Sequence, residues 1–151
     1  MTRKRLNAYN CSIARTLDIV GDQWSILIVR DAFLGIETFS GFLNRIGVAR
    51  NILTNRLEKL VKHNILSKEV TSTKRARYTL TQRGKELLPT LIAIMQWGDK
   101  WLFEAGEEPV RVVDRETRSP IQQVGIVSRS GRFLSPEDLL FEPGPGVRDD
   151  D

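Results

Sequence analysis

Residues 39–80 read FSGFLNRIGVARNILTNRLEKLVKHNILSKEVTSTKRARYTL, and the fold turns on how this stretch divides. From Ala49 to His63, Ile52, Leu53, Leu57, Leu60 and Val61 recur at helical spacing as a stripe to be buried, while Arg50, Asn51, Thr54, Asn55, Glu58 and Lys62 fall on the opposite face. Before it, Phe39, Phe42, Leu43 and Ile46 share one side of a shorter helix with Thr38 or Ser40 near its start, and Gly47 breaks the pattern. After it, Asn64 is suited to a left-handed helix end, and Ile65 to Val70 and Arg77 to Leu80 read as strands around the turn Thr71-Ser72-Thr73-Lys74-Arg75. A short helix, a tight turn, a longer helix and a basic-tipped hairpin follow one another.

Working outward, Ile13, Ala14, Leu17 and Val20 mark a first helix that Ser12 can cap. Gly21 ends it, and Asp22 can cap a second helix carrying Trp24, Leu27, Ile28, Asp31 and Ala32 along one side until Gly35. A last long helix opens at Thr81 and runs to about Phe103, with a kink or short break expected near Pro89 because proline removes a backbone donor. Beyond Gly106, five prolines interrupt any helical period. There, Val110 to Asp114 and Gln123 to Val127 read as short strands, Ser130-Gly131 as a turn, and the end from Gly144 as frayed. The expected architecture is mainly α with a small β wing (α+β): a winged helix-turn-helix domain over residues 1–104 with a long terminal dimerisation helix, then a β-rich extension over 105–151.

Composition narrows the function. An apolar fraction of 40% and a charged fraction of 28% suit a globular domain, and no apolar run nears the ~20 residues of a membrane span. The basic start MTRKRLNAYNC lacks the apolar stretch of a secretory signal, so a cytoplasmic location is expected. One cysteine and one histidine are too few for a structural zinc site, and there is neither a Ser/His/Asp set nor a phosphate-binding glycine loop, so no metal, cofactor or enzymatic activity is expected. The net charge of +4 is unevenly spread: residues 1–103 hold 17 Lys and Arg against 8 Asp and Glu, and residues 104–151 hold 6 against 11. The basic part is where a polyanion binds.

A helix fits the DNA major groove and a basic hairpin tip reaches the neighbouring backbone or minor groove, so the outward face of the helix from Ala49 becomes the reading face. Arg50, Asn51, Thr54 and Asn55 carry the donors and acceptors that base edges and phosphates require, and Lys74, Arg75 and Arg77 supply the wing; a merely solvated face and an idle turn are the alternatives. Arg56 lies near the buried side and suits an ion pair with Glu58 or Asp31. Arg3, Lys4 and Arg5 form either a DNA-binding arm or a disordered terminus. His63 suits the helix end, and Trp24, Trp97 and Trp101 suit core or interface better than ligand stacking. Leu91, Met95, Trp97, Trp101 and Leu102 would form a contiguous exposed patch on a lone domain, which predicts a homodimer through the last helix.

Cys11 with Leu17-Asp18-Ile19-Val20-Gly21-Asp22-Gln23-Trp24, Ile52-Leu53-Thr54-Asn55-Arg56-Leu57, Tyr78-Thr79-Leu80-Thr81-Gln82-Arg83-Gly84 and Met95-Gln96-Trp97 occur in this order. Over about residues 8 to 103 the chain thereby resembles the HxlR-type regulators of the MarR-like winged-helix group. The resemblance implies a homodimeric transcriptional regulator, more commonly a repressor than an activator, on duplex DNA with two related half-sites. In it the terminal helix and the N-terminal segment build the interface. Some such regulators sense oxidants, electrophiles or other small molecules, and a Cys at the place of Cys11 serves some of them. A thiol at a helix start with Arg15 a turn away favours the same reading, while a small buried hydrophobe at the interface is the alternative. Ser12 stands where such proteins usually carry Pro. The competing function is a winged-helix module that binds another protein.

Overall fold

The computed structural model describes residues 6–147, and Arg3, Lys4 and Arg5 lie outside that range, as do the last four residues of the chain. The chain divides into two compact units, one comprising the N-terminal residues to Glu86 with the end from Pro143, the other Leu87–Glu142. The long terminal helix therefore groups with the tail, and the division falls at Glu86, where the expectation set it at 104.

In the first unit, helices α1 (Ser12–Val20), α2 (Gln23–Phe33), α3 (Phe39–Ile46) and α4 (Arg50–Lys62) precede an antiparallel hairpin of β1 (Leu66–Val70) and β2 (Ala76–Leu80), and a short α5 (Gln82–Lys85) ends it. Caps set most of the helix boundaries. The Asp22 carboxylate accepts from the N–H groups of Trp24 and Ser25, the Thr38 hydroxyl from Gly41 and the Thr81 hydroxyl from Gly84. α1 differs from expectation: Ser12 is already its first residue, and Cys11 sits at the cap position without making a side-chain cap. Asn64 adopts φ 56°, the left-handed end expected of it.

The core is a wedge of α2, α3 and α4 closed by the hairpin. Ile28 and Val29 from α2, Phe42 from α3, and Leu53, Leu57 and Leu60 from α4 are fully buried, with Leu66 and Tyr78 covering them from the sheet. Tyr78 meets Phe42 edge to face at 6.4 Å. Its backbone N–H donates to the Glu37 carbonyl at 2.7 Å, and Thr38 bridges to Arg77, so the segment before α3 adds a third, one-residue edge to the wing. A Cβ on Gly84 would stand 2.2 Å from the Ile65 carbonyl oxygen, so only glycine lets α5 approach the start of the wing.

In the second unit, α6 runs Leu88–Leu102 with Pro89 in its first turn. The break between α5 and α6 is the interruption expected near Pro89, because proline is tolerated only where no intrahelical donor is needed. The tail has less regular structure than expected. Val110 to Asp114 is not a strand and contributes one bridge, Val113 to Pro120, which closes a loop whose Asp114 carboxylate accepts from the backbone of Glu116 and Thr117. Of Gln123 to Val127 only β3 (Ile126–Val127) is strand, paired through the Ser130-Gly131 turn with β4 (Phe133–Leu134). No helix among the described residues is long and apolar enough to cross a membrane.

Candidate nucleic-acid interface

The α3-to-α4 turn depends on two residues. Gly47 takes φ 69°, which an L side chain rarely adopts, and Val48 is buried beneath the turn. α4 then leaves with its hydrophobic stripe inward, which exposes Arg50, Asn51, Thr54 and Asn55 together. The Arg50 guanidinium lies 5.7 Å over the Phe39 ring, a cation–π contact that braces it from the neighbouring helix. The Thr54 hydroxyl donates to the Arg50 carbonyl at 2.9 Å. Asn51 and Asn55 have no side-chain partner among the described residues, so their amides are open to solvent.

The backbone contributes a feature that side-chain reading passed over. Ala49 is the N-cap of α4 and has no oxygen to offer, and no acidic residue stands in the first turn. The first amides of this 13-residue helix are thus left to an external acceptor, with the positive end of the helix dipole behind them. The signal was in the sequence, since none of Gly47, Val48 and Ala49 carries a side-chain acceptor.

Arg56 anchors α4. Its partner is neither Glu58 nor Asp31 but Asp22, at 2.8 Å, and the same carboxylate caps α2 and accepts the Ser25 hydroxyl at 2.6 Å. Partial burial pushes the Asp22 carboxyl up, but the Ser25 hydrogen bonds and the Arg56 guanidinium outweigh that and hold it below the usual carboxylate range. Asp31 is fully buried and has other partners: Arg30 at 2.9 Å on one oxygen and Arg45 of α3 at 3.3 Å on the other. The Asp22–Arg56 pair ties the cap of α2 to α4, and the Asp31–Arg45 pair ties the end of α2 to α3.

The wing separates its three cations. Thr71 organises the tip: its N–H donates to the Arg75 carbonyl at 2.8 Å, its hydroxyl accepts from the Arg75 N–H, and Lys74 turns through φ 59°. Lys74 and Arg75 project from this turn, exposed and unpaired among the described residues. Arg77 sits a strand residue deeper and is paired with Glu37, whose hydrogen bond and charge raise the guanidinium pKa further. His63 ends α4, its N–H donating to the Lys59 carbonyl.

On α6 the expected interface set splits. Trp97, Trp101 and Leu102 are 61%, 63% and 69% exposed, and Ile94, absent from that set, joins them at 55%. Met95 and Leu91 are half-buried, and Met95 faces a groove between α6 and the tail. Trp24 is half-buried in the first unit. The Cys11 thiol is exposed, and the side chain of Arg15 turns back to donate to the Tyr9 carbonyl at 2.9 Å. No cluster of metal-ligating residues is found among the described residues.

Residues 19–105 match the family described as HxlR-like helix-turn-helix. An uncharacterized HTH-type transcriptional regulator of Mycobacterium tuberculosis is 30% identical over 139 residues, covering 91% of this chain and 88% of that one. Among solved structures, the chain is similar to PA1607, described as a candidate transcription factor, with a TM-score of 0.87 and 37% identity over 93% of this chain and 100% of that one. It is also similar to the redox regulator HypR in its reduced form, with a TM-score of 0.56 and 25% identity over 60% of this chain and 92% of that one. The first two matches extend into the tail; the HypR match is shorter.

Proposed function

The chain belongs to the HxlR-like helix-turn-helix family of DNA-binding transcriptional regulators, and from that premise we propose that it acts as a homodimeric repressor on an operator with two half-sites. The observation that carries this reading is the N-terminal turn of α4, where uncapped amides stand together with exposed Arg50, Asn51, Thr54 and Asn55 in the same unit as the basic wing tip. The amides and Arg50 hold phosphate, Asn51 and Asn55 read base edges, and Thr54 offers its oxygen and methyl to either. Lys74 and Arg75 hold the backbone beside the reading groove. Arg77 reaches a phosphate only by giving up Glu37.

The dimer reading is supported by α6, whose exposed Trp97, Trp101 and Leu102 form the kind of apolar patch that a lone protein rarely leaves open. Two copies reading successive major grooves would meet half-sites about one DNA turn, ~34 Å, apart. Selection of bound fragments from genomic DNA, followed by titration at rising salt, tests the reading. Discrete sites with paired half-sites and a steep loss of affinity with salt are expected; salt-tolerant binding to a protein without DNA selection would favour the interaction-module alternative instead.

A second reading rests on Cys11, which is exposed at the start of α1, and draws support from the similarity to a redox regulator. Peroxide would then weaken operator binding by the wild type and leave Cys11→Ser unaffected; equal loss in both removes this role.

A further inference from the structure

Within the second unit, α6 and the tail enclose an open groove of about 740 Å³, inside the range that small-molecule sites occupy. Gln96 holds the tail onto the helix with both ends of its amide: Nε2 donates to the Gln122 carbonyl at 3.1 Å, and Oε1 accepts the Val124 N–H at 2.7 Å. The groove is thus fixed at that point by a bidentate clamp, the backbone of an otherwise irregular segment having found its partner in a side chain.

The lining is apolar on both sides, with Met95 from the helix, Phe103 from its C-cap, and Val112 and Ile121 from the tail. Four charged residues also line it: Lys100 and Arg111 are exposed, whereas Glu108 and Asp99 are half-buried. Glu108 accepts the Gly106 N–H at 3.2 Å and feels the charge of Arg111. Lys100 lies 5.0 Å over the ring of Trp101. Asp99 remains: half-buried, one turn of α6 after Met95 and four residues before the extended C-cap Phe103, with no hydrogen bond or ion pair among the described residues. A half-buried carboxylate without an ion pair, in a groove that also carries a thioether and an aromatic ring, complements a positive charge carried on an apolar body.

We propose that the groove between α6 and the tail is a binding site for a monovalent hydrophobic cation, such as a protonated or quaternary amine with an aromatic body, with Asp99 as its counter-charge. Met95 supplies an adaptable wall for flat or branched apolar groups, and Phe103 offers an aromatic surface to the cation. The site lies outside the DNA-reading unit, and the inference goes beyond the DNA-binding reading without depending on it.

The test is calorimetric titration of the full-length, DNA-free protein with tetraphenylphosphonium and with tetraphenylborate, which share a shape and differ in charge. Saturable binding of the cation is expected, with the anion weaker by about tenfold or more, as one partly desolvated charge contact gives. Asp99→Asn keeps the shape and removes the charge, so it should abolish most of the preference between the two ions. Gln96→Ala, which releases the clamp, should weaken both ions alike. Absence of saturable binding, equal binding of the two ions, or an unchanged preference in Asp99→Asn overturns the proposal. Because DNA is absent from this measurement, none of those outcomes touches the operator reading.

Discussion

The two units of the chain solve the problem of apolar surface differently. In the first, Ile28, Val29, Phe42, Leu53, Leu57 and Leu60 are sealed from water by one another, and charged groups that approach this core have partners, as Asp31 does with Arg30 and Arg45. In the second, no described residue is buried, although α6 is the most apolar of the described helices and the tail carries Leu140 and Phe141. A helix of such composition is stable only when something covers it. The first unit therefore has a core of its own, while the second leaves an apolar face of α6, the proposed seam, in water and a groove between α6 and the tail.

The sharpest contrast between the units comes from matched truncations. Leu57→Ala opens a cavity in the first unit and should lower the unfolding free energy by about 2–5 kcal/mol in urea titration. Leu102→Ala in the second should cost less than about 1 kcal/mol in monomer stability, because its side chain is already in water there. A large loss at Leu102 under monomeric conditions would mean that the second unit has a core of its own.

The seam is broken most directly by a charge on the exposed side of α6. Trp101→Glu is better placed for this than Met95→Glu, since Met95 faces the groove. Sedimentation should show the dimer lost at micromolar concentration, and operator affinity should fall although no reading residue has changed. Sedimentation of the wild type as monomer alone would remove the seam altogether.

Smaller effects distinguish reading from holding within the first unit. Asn55→Ala should relax base preference by about 1–3 kcal/mol at one position of each half-site, whereas Arg50→Ala and Lys74→Ala should weaken all sequences alike and reduce the salt dependence. Competition titrations with single-base operator variants separate the two patterns.

A small effect is expected from the anchor as well. Asp22→Ala removes a helix cap and the partner of Arg56, at about 1 kcal/mol. The folded-state pKa of Asp22 is depressed, so its ionic contribution is fully present above the unfolded value near pH 4 and fades as the pH falls through the lower folded value. The stability difference between wild type and Asp22→Asn should accordingly narrow below about pH 4; a gap that widens with acid would reverse the sign assigned here.

The sequence by itself determined whatever is decided within a turn or two of chain. Asp22 and Thr38 at the caps, the left-handed Asn64, the stripe of α4 with its exposed polar face, the wing and the interruption at Pro89 are all local, because capping, periodicity and ring constraints act over a few residues. Tertiary structure decided the rest. Arg56 finds Asp22 across 34 residues, a pairing no spacing rule reaches, and Arg77 is drawn to Glu37 across 40. Met95 and Trp101 share one apolar helix, yet the tail folds against the side bearing Met95 and leaves the side bearing Trp101 in water. In the tail itself, too few apolar residues alternate for periodicity to mark strands, and it is Gln96, from another element, that supplies the hydrogen bonds holding residues 122–124 in place.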